Sequence, residues 1–202
     1  MAVKIAIIDL GMGNLYSVHK ALHKYPVVVT SDPHEISKAD KLILPGVGHF
    51  GKAMKALQQS GLLDTLNEAV VLTKKPILGI CLGMQLMGKH SAEGNSTGLG
   101  WFDSEIVRFE STPLLKVPHM GWNTLVRQKE SLLLENIEPD TEFYFAHSYY
   151  CKNTYSGETL TISNYTLSFS SAVERDNIFG VQFHPEKSHK PGLRLLENFA
   201  AF

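Results

Sequence analysis

Pro76-Ile77-Leu78-Gly79-Ile80-Cys81-Leu82-Gly83-Met84-Gln85 is the stretch that decides the fold of this 202-residue chain. It begins as an apolar run typical of a buried strand and continues, after Cys81, as a plausible helix. Glycines two residues on either side of Cys81 permit a sharp strand-to-helix turn without Cβ clashes. We therefore predict an α/β fold that presents Cys81 at the carboxyl end of a strand.

The segments before this stretch repeat the same alternation of strand and helix. The predicted strands are Lys4–Asp9, Val27–Thr30, Lys41–Leu44 and Lys75–Gly79. The predicted helices are Leu15–Tyr25, Asp32–Ala39 and His49–Thr73, the last with a break at Gly61. Short β-branched strands between helices favour a parallel sheet that is covered on both faces.

After Ser91 strands follow one another without intervening helices, which predicts a mixed sheet. These strands are Trp101–Phe109, Asn123–Val126, Glu142–Ala146, Thr159–Asn164, Leu167–Glu174 and Asn177–Phe183, and a helix over Pro191–Phe202 ends the chain. We expect a three-layer sandwich with a central, mostly parallel mixed sheet. No linker divides it, so residues 1–202 are predicted to form one domain.

Composition argues against several classes of partner. A net charge of −1 gives no broad basic field for nucleic acid or an anionic membrane surface. The apolar stretch Ala2–Leu10 is interrupted by Lys4 and is shorter than the ~20 residues of a membrane span. Two cysteines are too few for a disulfide scaffold. We therefore expect a cytoplasmic protein with reduced thiols.

Cys81 is a candidate nucleophile because the turn exposes its side chain at a strand end. The unsatisfied amides at a helix N-terminus also favour the thiolate. The alternative is a buried cysteine packed between two layers, which a lone cysteine usually is.

His184 and Glu186 supply the partners that a cysteine nucleophile needs. They lie in Val181-Gln182-Phe183-His184-Pro185-Glu186, where Pro185 restricts the residue before it to extended backbone. Residues two apart in an extended chain lie on the same side, so the carboxylate can orient the imidazole. A surface histidine beside a solvated glutamate is the alternative, since the chain has nine histidines.

Backbone N–H groups near Cys81 are candidates for stabilising an oxyanion. One is the N–H of Leu82. The other comes from Val47 or Gly48, in Pro45-Gly46-Val47-Gly48 after a predicted strand. An ordinary strand-to-helix turn is the alternative for that segment.

The motifs P-G-x-G, G-x-C-x-G-x-Q and H-P-E occur in this order along the chain. In this respect the chain resembles the class I, triad-type glutamine amidotransferases. The chain more specifically resembles the glutaminase subunits of imidazole glycerol phosphate synthases. That resemblance covers essentially the whole chain and is carried by Asp9–Leu15, Pro118–Asn123 and Arg175–Ser188.

The resemblance implies an enzyme with a Cys-His-Glu triad of Cys81, His184 and Glu186, without cofactor or metal. It implies that Gln85, Glu93, Ser148 and Tyr149 hold the substrate glutamine, with Glu93 pairing its ammonium group. Without the family pattern, Gln85 would be interpreted as helix surface and Glu93 as a solvated charge.

The resemblance also implies a heterodimer with a (β/α)8-barrel cyclase that receives the ammonia. The product would be imidazole glycerol phosphate, with aminoimidazole carboxamide ribotide, in histidine biosynthesis. The residues implied to face the cyclase are Asn14, Met120, Trp122, Asn123, Tyr144 and Lys187. Trp122 is either an exposed anchor or a core aromatic.

Two further functions stay open at this point. A paralogue that feeds ammonia to surface-sugar synthesis could keep every residue named above. A non-catalytic regulatory scaffold is the alternative outside enzymes, although an intact cysteine, histidine and glutamate set argues against it. For the amidotransferase we expect low glutaminase activity alone and stimulation by the loaded cyclase, through movement at Gly46–Gly48.

Overall fold

A mixed β-sheet forms the centre of the computed structural model, which describes residues 3–113, 116–153 and 156–202. The strands are β1 Ile5–Ile8, β2 Val27–Thr30, β3 Lys41–Gly46, β4 Ile77–Cys81, β5 His90–Ser91, β6 Ser96–Thr97, β7 Ser104–Arg108, β8 His119–Thr124, β9 Val126–Arg127, β10 Glu142–His147, β11 Tyr149–Asn153, β12 Thr159–Asn164, β13 Ser168–Arg175 and β14 Ile178–Val181. The α-helices are α1 Leu15–Ala21, α2 Pro33–Lys38, α3 Phe50–Gln59, α4 Leu62–Asn67, α5 Leu82–Leu86 and α6 His189–Ala201. A π-helical turn covers Glu68–Leu72, and 3-10 turns lie at Leu132–Leu134, Ser156–Glu158 and Pro185–Lys187.

The order of the strands places two distant segments of the chain side by side. Strands β2, β1, β3, β4 and β14 lie in that order and run parallel. The sheet continues through β13, β11 and β7, which pair antiparallel. In the parallel pair β4–β14, Ile80 is the register partner of Val181. The carboxyl ends of these two strands therefore lie at the same edge.

Helices cover both faces of the sheet. On one face, Ile7 of β1 belongs to the same buried cluster as Val18 of α1 and Leu195 of α6. On the other, Ile8 clusters with residues of α2, α3 and α4, among them Leu57. Neighbouring residues of a strand point to opposite faces, so a fully apolar strand needs apolar cover on both sides. The predicted α/β sandwich with a mixed central sheet is confirmed.

Local signals locate several helix ends. The Asp32 side chain accepts the N–H of His34 at 2.9 Å and caps α2. Gly61 adopts φ +71° and separates α3 from α4, as predicted. Helix α1 is shorter than predicted and ends at Ala21. Its continuation closes into tight turns, in which the N–H of Tyr25 bonds the carbonyl of Leu22.

Some predicted strand bounds were wrong, because strand pairing overrode the local pattern. Strand β4 runs to Cys81 instead of ending at Gly79. Strand β8 covers His119–Thr124, where Asn123–Val126 was predicted, since it pairs along its length with β10 in a separate two-stranded sheet. Strand β11 was not predicted. Within the described ranges, no helix has the length and apolarity to span a membrane.

Candidate active site

Cys81 occupies a strained turn between β4 and α5. Its backbone has φ +54° and ψ −109°, a conformation that costs of order 1–3 kcal/mol for a residue with a side chain. A Cβ at Gly83 would overlap the carbonyl oxygen of Leu44, and one at Gly79 would lie 2.7 Å from the N of Met84. Only glycines permit this close approach, as the sequence predicted, and the thiol lines a cavity.

His184 and Glu186 reach the same edge of the sheet from β14. The Nδ1 of His184 lies 2.9 Å from Oε1 of Glu186, and both side chains are almost fully buried. An ionised carboxylate only accepts hydrogen bonds, so Nδ1 carries the donated proton. Nε2 is then the ring nitrogen left to face the thiol of Cys81.

The His184 ring is in its cationic, doubly protonated form at neutral pH. Burial alone would lower the pKa of His184, but hydrogen bonds and charge interactions with Cys81 and Glu186 outweigh it and raise the pKa to about 9. The side chains of Cys81 and His184 thus form an interacting pair with Glu186 behind the ring. This arrangement can activate a thiol and protonate a leaving group.

A cavity of about 210 Å³ opens over the thiol. The residues that line it are Gly48, Cys81, Leu82, Gln85, Glu93, Pro118, Met120, Ala146, His147, Ser148 and Tyr149. The four residues expected to hold glutamine are therefore brought together around one space. Gly48 and Leu82 line it as well, whereas Val47 lies outside the lining and its side chain is 42% exposed.

Glu93 is held in place by a helix. Its Oε2 accepts the backbone N–H of Phe50 at 2.7 Å, at the first turn of α3. The residue is half-buried, so it is not the solvated charge that the loop sequence alone would indicate. The carboxylate satisfies an N-terminal amide of α3 and also faces the cavity.

A family model described as glutamine amidotransferase class-I matches residues 6–201. This chain belongs to the class-I glutamine amidotransferases.

Individual relatives agree with that membership. The chain is 48% identical to imidazole glycerol phosphate synthase subunit HisH 2 of Methanococcus maripaludis, over 96% of this chain and 98% of the relative. Identity and coverage are the same for subunit HisH 2 of Pseudomonas aeruginosa. A solved structure of a glutamine amidotransferase superposes with a TM-score of 0.75 at 17% identity, covering 98% of this chain and 99% of the other. The resemblance that the sequence motifs indicated is confirmed.

In this class-I amidotransferase, an exposed aromatic face lies beside the cavity. Strands β8 and β10 pair Trp122 with Tyr144, and Met120 with Ala146. Met120 is 63% exposed and Trp122 is 43% exposed, so Trp122 is not a core aromatic. The Trp122 ring stacks on His189, with centroids 5.1 Å apart.

The other residues expected at the partner surface have mixed positions. The Lys187 ammonium lies over the Tyr144 ring, 5.8 Å from its centroid. Asn14 is half-buried and precedes α1. Asn123 is half-buried, and its amide donates to the carbonyl of Asn164 at 2.8 Å.

A buried histidine pair in the amidotransferase was missed by the sequence argument. His147 Nδ1 lies 2.8 Å from the Tyr149 carbonyl, which only accepts, so His147 Nε2 accepts from His119 Nδ1 at 3.0 Å. Asn123 Nδ2 then donates to His119 Nε2 at 3.3 Å. Burial lowers the pKa of His119 to about 4 and that of His147 to about 3, so both are neutral.

Gln182 was also missed. It is fully buried, and its Nε2 lies 3.6 Å from Sγ of Cys81. A signal was present in the sequence, because Gln182 is a polar residue in the apolar run predicted as the strand Asn177–Phe183, two positions before His184. In extended chain, a spacing of two places Gln182 on the same side as His184.

Proposed function

We propose that this chain is the glutaminase subunit of an imidazole glycerol phosphate synthase, formed as one domain over residues 1–202. The observation that carries the proposal is the meeting of Cys81, His184 and Glu186 at the ends of two adjacent parallel strands. The relatives at 48% identity over nearly the whole chain supply the specific enzyme. A non-catalytic scaffold would have no need for a strained cysteine beside a buried imidazole.

The proposed reaction uses Cys81 as nucleophile. Its thiolate attacks the carboxamide carbon of glutamine, and His184 protonates the nitrogen, so that ammonia leaves and a glutamyl thioester forms. His184 then takes a proton from water, and the resulting hydroxide attacks the thioester. Glutamate departs and the thiolate returns, while Glu186 keeps the imidazole in the required tautomer.

The tetrahedral intermediates carry an oxyanion that backbone donors must stabilise. The N–H of Leu82 is one proposed donor, since it follows Cys81 directly at the start of α5. The second is the N–H of Val47 or Gly48. Gly48 has φ +105°, and a side chain there would be strained whatever the space. Its freedom supports reorientation of the Val47–Gly48 peptide when the partner is engaged.

Different cavity residues are proposed to bind the ammonium and carboxylate groups of glutamine. Glu93 is proposed to bind the substrate ammonium with the carboxylate that α3 orients. The Ser148–Tyr149 segment is proposed to hold the substrate's carboxylate end. Gln85 donates to the Tyr149 carbonyl at 2.9 Å and to Oε1 of Gln182 at 3.0 Å, so both amide hydrogens are engaged. It therefore supports the pocket wall and offers only its own carbonyl oxygen to substrate.

The ammonia is proposed to pass directly into a (β/α)8-barrel cyclase bound as a heterodimer. The residues proposed to face the cyclase are Asn14, Met120, Trp122, Asn123, Tyr144 and Lys187. Exposure of Met120 and Trp122 beside the cavity supports this position, because large exposed apolar side chains near a site mark interaction surfaces.

A coupled assay with purified cyclase tests the proposal. We expect slow glutamine hydrolysis by the chain alone, faster hydrolysis with cyclase loaded with its nucleotide substrate, and formation of imidazole glycerol phosphate from glutamine. Cys81→Ala should abolish the use of glutamine, while ammonium salts should still support the cyclase. Equal hydrolysis with and without loaded partner would contradict the coupling.

The alternative acceptor pathway would use the same site. A paralogue that supplies ammonia to surface-sugar synthesis would hydrolyse glutamine with the same residues. It would fail to deliver ammonia to the cyclase, so the acceptor assay separates the two functions.

A further inference from the structure

One buried amide beside the thiol has no role in the reaction proposed above. The Nε2 of Gln182 lies 3.6 Å from Sγ of Cys81, which is within hydrogen-bonding range for sulfur. Gln182 has no exposed surface. A buried amide that donates to a thiol has exchanged hydrogen bonds to water for a bond to a weak acceptor, which costs free energy.

The orientation of the Gln182 amide follows from its neighbours. The backbone carbonyl of Tyr149 can only accept, so the group of Gln85 that lies 2.9 Å away must be its NH₂. That NH₂ also lies 3.0 Å from the Gln182 side chain, which must present its carbonyl oxygen there. The NH₂ of Gln182 is then directed at the sulfur. A flip of either amide would place two donors or two acceptors against each other.

We propose that Gln182 is a further catalytic residue, which donates a hydrogen bond to the reacting sulfur of Cys81, and that Gln85 positions it. This deepens the proposed function and depends on Cys81 being the nucleophile. A thiol sulfur is a weak acceptor, whereas a thiolate is a strong one. The Gln182 amide therefore stabilises the anion without adding a charge to the site.

The same bond favours breakdown of the thioester. The sulfur of a glutamyl thioester is neutral and accepts poorly, but it regains its negative charge as glutamate leaves. An amide already directed at the sulfur stabilises that developing charge without reorganisation. Gln182 thus acts when the thiolate forms and again when it is released.

Alkylation of Cys81 by iodoacetamide tests this in the full-length chain, without glutamine or partner. Gln182→Leu keeps the approximate volume and removes the donor, and Gln182→Glu places acceptor oxygens against the sulfur. For Gln182→Leu we expect alkylation near pH 7 to slow about tenfold, the size of effect that loss of one charge-assisted hydrogen bond gives. The rate profile should move to higher pH, and further for Gln182→Glu.

A matched control is Ser171→Ala. Ser171 is buried on the neighbouring strand β13, and its hydroxyl pairs with Thr161 at 2.9 Å. This variant should alkylate like the wild type. If both Gln182 variants also show the wild-type profile, the inference is wrong.

A measurement on the unmodified sequence covers the case in which the variants fail to fold. In ¹⁵N NMR spectra, the side-chain amide resonances of Gln182 should shift when Cys81 is alkylated, and those of exposed Gln128 should not. An unmoved Gln182 resonance would overturn the inference. Neither test involves glutamine turnover. A failure of this inference can therefore be told apart from a failure of the proposed function.

Discussion

The backbone N–H of His184 donates to the carbonyl oxygen of Tyr144 at 2.8 Å. The hydroxyl of Ser188 strengthens this link, because it accepts the N–H of Tyr144 at 3.0 Å and donates to the carbonyl of His184 at 2.6 Å. Tyr144 is also the register partner of exposed Trp122. The proposed partner surface and the imidazole of the site are therefore joined by one short set of bonds.

Removing the Ser188 hydroxyl should destabilise the segment that carries His184. Ser188→Ala leaves the Tyr144 N–H and the His184 carbonyl each without that partner, so we expect a loss of about 1–3 kcal/mol of unfolding free energy. Urea denaturation measures it. Ser37→Ala, which removes an exposed hydroxyl bond to the Pro33 carbonyl, is the control and should have a much smaller effect. Equal stabilities of the two variants would contradict this role of the Ser188 hydroxyl.

Trp122 should dominate binding of the cyclase. Trp122→Ala removes a large aromatic from the exposed face, and we expect the dissociation constant to rise about 30-fold or more, as for an interface hot spot. Isothermal titration against the cyclase measures the change. The control is Leu72→Ala, which removes a side chain that is 75% exposed in the π-helical turn. Unchanged affinity of the Trp122 variant would show that the partner binds elsewhere.

Replacing Glu186 should lower the kcat of glutaminase and leave the KM for glutamine nearly unchanged. In Glu186→Gln an amide replaces the carboxylate behind the imidazole, which removes the preference for a proton on Nδ1. We expect kcat of glutaminase, with loaded partner, to fall about 10²- to 10⁴-fold. KM should stay similar, because Glu186 does not line the cavity over Cys81. Glu197→Gln, on the surface of α6, should retain full activity; a similar loss there would argue against this role.

Stability should decline on both sides of pH 6.5. The pKa values of His119 and His147 are lowered from 6.5 to about 4 and about 3. Their contribution to the unfolding free energy is therefore complete above pH 6.5 and is lost as pH falls toward those values. The pKa of His184 is raised to about 9, so its contribution is complete below 6.5 and is lost as pH rises through 9. Each group gives a slope of at most about 1.4 kcal/mol per pH unit.

Urea denaturation between about pH 4 and 9 measures these slopes. His184→Asn should remove most of the decline on the alkaline side and keep the decline on the acid side. An alkaline slope that is the same in this variant and in the wild type would contradict the assignment to His184.

Gly83 should tolerate no side chain. In Gly83→Ala the new Cβ overlaps the Leu44 carbonyl oxygen, and separating β3 from α5 should cost about 1–3 kcal/mol or more. Gly51→Ala is the control, since its Cβ would lie 3.4 Å from the His49 ring and alanine favours a helix. Thermal melting should show a lower Tm only for Gly83→Ala. A normal Tm for that variant would mean that the turn adjusts more freely than its packing indicates.

Local patterns were sufficient for much of the fold. The apolar run before Cys81, the glycines around it, and Gly61 between two helical segments each act over a few residues, so they are visible without knowledge of the tertiary structure. Glu186 was also predicted to lie beside His184, and it does, but the extended backbone assumed for the pair ends at His184, because Pro185–Lys187 forms a 3-10 turn. Strand bounds were less accurate, since pairing partners decide where a strand begins and ends.

The sequence by itself determined the α/β alternation, the sharp turn between glycines at Cys81 and the pairing of His184 with Glu186. Only the tertiary structure decided that Gln182 faces the sulfur, that His119 and His147 share a buried hydrogen bond, and that Trp122 is exposed. The physical reason is distance along the chain: Gln182 and Cys81 are 101 residues apart and meet only because β14 inserts beside β4. Local propensity carries no information about which distant strand will be the neighbour, and the whole sheet must assemble to decide it.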